Sequence, residues 1–216
     1  MNIRIFKKNG PHRLIFLLFF LSSCTTYTYI APKNLALQEP TLAQGKIPLR
    51  IGLLLQPEIC RYEILKERRG IQLHYQIGES LCDGIIRMFN LMFKEVTVFE
   101  SIGSNNMVQG LNAIIVPEVE TSSILLPVMK TQPLEVLLRI KFSAWDINRK
   151  IIWADTYQGE SRVEFQKFNL LHLPGFFEVA KKEKEDMISS LKLALEDLLK
   201  NTQEGMTATK WWLRIQ

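Results

Sequence analysis

The chain has 216 residues, of which 47% are hydrophobic, and a formal charge of +5; length and apolar content suit one ordinary globular domain. The charge is concentrated at the start: Arg4, Lys7, Lys8 and Arg13 precede residue 24 with no acid among them, and the remainder carries 23 basic against 22 acidic residues. A near-neutral remainder lacks the electrostatic footprint of phosphate binding and argues against a nucleic-acid partner. After the basic opening come an unbroken apolar run, 14–21, and the small pair Ser22-Ser23. A positive region, a short apolar region and small residues describe a secretory signal. The run of eight residues is far short of the roughly 20 that a membrane-spanning helix needs.

Leu21-Ser22-Ser23-Cys24 resembles the bacterial lipobox, a branched aliphatic and two small residues before an obligatory cysteine. The resemblance implies diacylglyceryl transfer to the Cys24 sulfur, cleavage between Ser23 and Cys24 with loss of residues 1–23, and acylation of the new terminus. Two or three acyl chains hold a protein stably to a bilayer, where one is marginal. Lipoproteins of this kind commonly carry Asp at the next position when retained at the inner membrane. Thr25 stands there, so the resemblance implies an outer-membrane anchor facing the periplasm.

Residues 25–46 show no sustained periodicity and carry Pro32, Pro40 and Gly45. Residues 24–46 are therefore expected to form a flexible tether, reaching at most about 70 Å when fully extended. The folded domain is expected over 47–200. It opens with IPLRIGLLL, a compact apolar run bounded by Pro48 and Pro57 that fits a buried strand. The charged stretch 58–70 is ambiguous. In IQLHYQI, Ile71, Leu73 and Tyr75 alternate with Gln72, His74 and Gln76, the period of a half-buried strand with His74 on its polar face.

GESLCDGIIRMFNLMFKEV is the best-marked helix. Ser80 and Asp83 have the spacing of a capping box, with Asp in place of the usual Glu, and Leu81, Ile85, Met88, Phe89 and Met92 form one apolar stripe. Gly84 inside it costs about 1 kcal/mol against Ala and fits close packing on a sheet. VTVFES then reads as a strand, and NAIIVPEVETSSILL as a long strand that Pro117 interrupts or places at an edge. In LEVLLRIKFSAW, Leu134, Val136, Leu138, Ile140 and Phe142 face one way; DINRK is a hairpin connection and IIWADTYQGE the antiparallel return. DMISSLKLALEDLLKN reads as a second amphipathic helix with Met187, Leu191, Ala194, Leu195 and Leu198 inward, and 201–216 as a C-terminal tail.

This order of elements specifies an α+β fold: a two-layer sandwich with a mostly antiparallel sheet of about four or five strands and two helices on one face. Together with the helix IGESLCDGIIRMFNLMF it is similar to small periplasmic lipoprotein domains of the YajG type, the amino-terminal TolB/CsgG-like module and the ABC-transport auxiliary lipoproteins. The resemblance implies a binding or assembly accessory, although a shared fold does not itself carry function.

No nucleophile-elbow, phosphate-loop or zinc-protease pattern occurs, so no catalytic residue, metal ligand or cofactor is assigned. An envelope hydrolase would have to bring Glu118, His74 or His172 into one cleft. Glu118 and Glu120, at i and i+2, read as a solvated strand face. Cys60 and Cys82 have no metal-site spacing; in an exported domain they stand either as a disulfide or as two small buried hydrophobes.

Leu171, Leu173, Phe176 and Phe177, in NLLHLPGFF, are a partner or membrane contact if exposed and core if folded back. Trp211 and Trp212, beside Lys210 and Arg214, are either an interfacial anchor or a tail docked on its own domain. Trp145 and Trp153 flank the hairpin and are expected near each other on one sheet face. The functional expectation is a membrane-anchored lipoprotein that binds an envelope protein or lipid without catalysis. The alternative is a lipid- or transport-accessory module holding an amphiphile, which an apolar cavity open to solvent would mark.

Overall fold

The structure, a computed structural model, describes residues 27–37, 45–68, 71–101, 108–127, 132–164 and 176–214. The main sheet is built from β2 (Ile47–Leu54), β5 (Phe93–Phe99), β6 (Ala113–Leu125), β7 (Leu134–Trp145) and β8 (Ile151–Val163), in the order β5-β2-β6-β7-β8. A second sheet joins β1 (Tyr27–Ile30), β4 (Ile71–Gln76) and β3 (Glu63–Arg68), in the order β1-β4-β3. The helices are α1 (Pro57–Cys60), α2 (Gly78–Met92) and α3 (Phe176–Thr209), with a 3₁₀ turn at Trp211–Arg214. The fold is α+β, as the order of elements implies, and the strands divide into two mixed sheets. In the main sheet β2 is parallel to β5 and β6, while β6, β7 and β8 form an antiparallel meander. The parallel pairs arise because α1, β3, β4 and α2 all lie between β2 and β5, a crossover long enough to return the chain in the same direction.

One large core joins both sheets to both long helices. The α2 stripe (Leu81, Ile85, Met88, Phe89 and Met92) is buried, as are Met187, Leu191, Ala194, Leu195 and Leu198 of α3. They meet the inward row of β7, Val136 to Ala144, together with Leu73 and Tyr75 of β4 and Ile64 of β3. A smaller cluster of Leu54, Phe99, Val108, Ile114 and Val116, with Trp145 packed against it, takes the alternate strand positions. The expected proximity of Trp145 and Trp153 fails for this reason. The ladder shifts between Ala144 and Trp145, and Trp153 packs against the main core instead.

Pro117 does not interrupt β6. β2 pairs with β6 only from Ala113 to Ile115, so by Pro117 the strand has β7 alone as its neighbour in the main sheet. The missing N–H then need not break a second ladder. The hairpin between β7 and β8 is closed by Asp146, whose carboxylate accepts from the N–H groups of Asn148 (2.9 Å) and Lys150 (2.8 Å).

The segment expected as a tether belongs to the fold over residues 27–37. β1 pairs in parallel with β4, and residues 31–37 form a strap across α2 and α3. The Ser80 hydroxyl donates to the Pro32 carbonyl, Arg87 Nη1 donates to the Leu35 carbonyl at 3.1 Å, and Glu196 accepts the Ala36 N–H at 2.6 Å. Periodicity could not reveal a strap whose partners are side chains of distant helices. Ser80 therefore does not cap α2: the helix starts at Gly78, and Ile77 caps it without a side-chain bond. Gly84 makes room for Leu199 and Leu35 rather than for the sheet.

α3 runs antiparallel to β8, with Ser190 bonded to Ser161 and Gly205 lying against the Tyr157 ring. The two approach most closely at Gly159, where a Cβ would overlap the Ala194 carbonyl and sit 2.5 Å from the Leu198 nitrogen. Both atoms belong to backbone and cannot swing aside. Asp197 and Asn201 then satisfy the Glu160 N–H and the Gln158 carbonyl at distances of 3.0 and 2.8 Å. The helix therefore runs well beyond its predicted end, and residues 201–209, expected as tail, are its last turns. Gly159→Ala should lower the urea unfolding free energy by about 1–3 kcal/mol, the usual cost of forcing atoms into a packed core; an unchanged midpoint would show that α3 can lift from β8 freely.

Candidate functional site

Cys24 and the leader lie outside the described residues, as do Leu171, His172 and Leu173. Phe176 and Phe177 open α3, and their side chains likewise lie outside the description. The described candidates are the two cysteines, the terminal tryptophans and the polar strand residues.

Cys60 and Cys82 are joined, with Cα atoms 5.4 Å apart. The sequence explains the approach locally. Pro57 starts the single turn of α1, which ends at Cys60, and the following turn runs against the start of α2, where the Tyr62 carbonyl accepts the Ile77 and Gly78 N–H groups at 3.2 and 2.9 Å. A Cβ on Gly78 would lie 2.6 Å from the Cys60 carbonyl carbon, so this glycine permits the contact. Four residues later, one helical turn on, Cys82 faces α1.

Trp211 and Trp212 are not free anchors: only 1% of Trp211 and 8% of Trp212 is exposed. This corrects their reading as partner contacts. The Trp211 ring stacks on Trp153 at 5.4 Å and 14° and lies 6.3 Å from Phe93, and Trp212 meets Trp211 edge-on at 6.3 Å. The indole N–H of Trp211 has no hydrogen-bond partner among the described atoms, so ring packing is what holds the tail. Trp153 also borders Tyr157, which touches Phe142. Burial, then the neighbouring Asp155 carboxylate, hold the Tyr157 hydroxyl well above its ordinary value of 10.0.

The polar candidates are not brought together. His74 lies on the small sheet, with Nδ1 3.3 Å from Glu63 and its ring 5.1 Å from Tyr29. Glu118 pairs with Lys141 in the main sheet, and Glu120 accepts from the Thr156 hydroxyl at 3.2 Å. Among the described residues no three His, Cys, Asp or Glu side chains gather as a metal site, and no helix is long and apolar enough to cross a membrane. One surface cleft of about 350 Å³ lies between the strap and α2, lined by Lys33, Glu79, Asp83 and Arg87 among others. Another, of about 360 Å³, lies on β6–β7–β8 beside Ser123, Leu125, Glu135 and Arg162. Both are lined with charged groups, and neither is an apolar chamber.

Two outcomes test these assignments. Replacing both Cys60 and Cys82 with Ala opens a loop spanning 22 positions and should cost about 3 kcal/mol in urea unfolding by the chain-entropy account; a loss under about 1 kcal/mol contradicts that. The folded chain keeps the Tyr157 proton above about pH 10, where the unfolded chain sheds it, so stability should fall as pH rises through that range. Tyr157→Phe should fall less steeply than wild type; parallel declines would remove this proton from the account.

No family model matches the chain, and no curated protein matches it. Among solved structures it is similar to protein XCC0632 from Xanthomonas campestris, of family-model DUF330, at 8% identity over 85% of this chain and 99% of that one, TM-score 0.49. A minor lipoprotein from Acinetobacter baumannii matches at 10% identity over 76% and 95% of the two chains, TM-score 0.44. Lipoprotein GNA1162 from Neisseria meningitidis matches at 10% identity over 66% and 100%, TM-score 0.34. At these identities and scores no ligand or activity passes from those proteins to this chain.

Proposed function

We propose that the chain is an envelope lipoprotein, cleaved before Cys24 and acylated on it, whose α+β domain acts as a non-catalytic binding or assembly accessory at the periplasmic face of the outer membrane. The observation that carries this reading is Leu21-Ser22-Ser23-Cys24, placed directly after a basic and then apolar leader. Basic flank, apolar length, small residues and cysteine each meet a separate physical requirement of export and lipid transfer. The Cys60–Cys82 bond supports an exported chain, because disulfides persist in oxidising compartments outside the cytosol. Among the described residues, the clefts beside the strap and on β6–β7–β8 carry charged side chains such as Lys33, Asp83, Glu135 and Arg162, which suits a polar or charged partner surface; amphiphile carriage is the second reading, which a mostly apolar cavity would mark. Thr25 supports the outer-membrane location.

Cys24→Ala should abolish metabolic labelling with a fatty acid and leave a precursor longer by the 23 residues of the leader. Normal processing of that variant, or unchanged labelling, would refute the reading.

A further inference from the structure

The three-stranded sheet has an outward face that the described residues leave partly exposed. Strand register places Tyr29 opposite His74, and His74 opposite Leu65. Tyr29 is 52% exposed and Leu65 61%, while their inward neighbours Ile30, Tyr75 and Ile64 are buried in the core. That row therefore presents an aromatic and an aliphatic side chain to solvent on either side of the His74 ring, whose side chain is only 16% exposed.

The length of chain ahead of β1 says what covers this face. Only Thr25 and Thr26 separate Cys24 from Tyr27, the first residue of β1. Three residue steps span at most about 11 Å even when fully extended, comparable with the depth of one headgroup layer. An acylated Cys24 has its chains in the hydrocarbon, so β1 must begin at the membrane surface. β1 leaves that point alongside β4, with Tyr27 paired to Gln72 near the start of β4. Tyrosine beside an aliphatic residue suits such a position, since an aromatic body with a polar tip is enriched at membrane interfaces.

We infer that the outer face of the three-stranded sheet, centred on Tyr29 and Leu65, rests against the headgroup layer of the bilayer that holds Cys24. The inference depends on the acylation proposed above. It also predicts an orientation: the β7–β8 hairpin, with Ile147 58% exposed, points away. Tyr75 of the small sheet reaches Met187 of α3, whereas the start of β8 lies by the opposite end of that helix. From Met187 to Met206 the helix extends about 28 Å at its ordinary rise.

The test uses full-length acylated protein in protein-free vesicles of phosphatidylethanolamine and phosphatidylglycerol, some bearing a nitroxide on the headgroup. Cys24 is then blocked by lipid and Cys60 bonded to Cys82, so a thiol-reactive fluorophore reports only a new cysteine. Leu65→Cys and Gln72→Cys label the small sheet, and Ile147→Cys labels the far hairpin; Gln72→Cys serves if Leu65→Cys misfolds. The sheet labels should be quenched several-fold more than the hairpin label. Mass spectrometry and flotation separate the outcomes. A chain without acyl mass that fails to float overturns the acylation reading and this one with it. A chain that is acylated and floats, yet shows equal quenching at the sheet and the hairpin, overturns the docking alone. Protection of the sheet labels only in native envelope fragments, and not in protein-free vesicles, would assign the face to a protein instead.

Discussion

The close contact of α3 with β8 at Gly159 is the constraint on which the rest of the domain depends. Because position 159 has no Cβ, helix backbone reaches strand backbone, and polar side chains of the helix take over hydrogen bonds along the strand edge. An open edge of 13 residues is thereby partly covered, which is one way a sheet avoids pairing with other chains. The same contact fixes the axis of a helix 34 residues long. One end then meets the small sheet through Met187 and Tyr75, and the other leads Trp211 back onto Trp153 and Phe93. Few contacts in the molecule bear on so much of it.

A second set of close approaches works at shorter range. Gly84 lets Leu199 and Leu35 close over α2, and Gly78 lets the turn after α1 pass over the start of that helix. Both sheets therefore share one large core, and only the main sheet adds a smaller cluster of its own among the described residues, around Phe99 and Ile114. Loss of either sheet would expose the other, a condition that favours a single cooperative transition.

What the sequence made legible follows from where the physical signals are local. The α2 and α3 stripes, the inward row of β7 and the DINRK hairpin are periodic or turn-coded, and the residues assigned inward are buried. Long-range features left weaker traces. β1 has four residues and no alternation to read, and the strap after it bonds to side chains more than 45 positions away. Ser80 carried a capping pattern, but its hydroxyl serves the strap. The two terminal tryptophans were ambiguous because exposed anchors and docked tails use the same residues; only tertiary contact with Trp153 distinguishes them. Of the candidate site, the lipobox cysteine stands on its motif alone, while the role of Gly78 in bringing Cys60 to Cys82 was invisible before the turn was in place.

The disulfide also has a mechanical side. Cys60 and Cys82 enclose β3 and β4 within one covalent ring attached to α2, and β1 is the strand of that sheet left outside it. A pull applied at the amino terminus enters the fold through β1. It can unzip a short parallel ladder and then the strap, and beyond them it meets β2, held between β5 and β6 in the main sheet. Only once β2 has been drawn from the core does tension reach the ring, which would then act as a stop, because a closed loop cannot be pulled out into line.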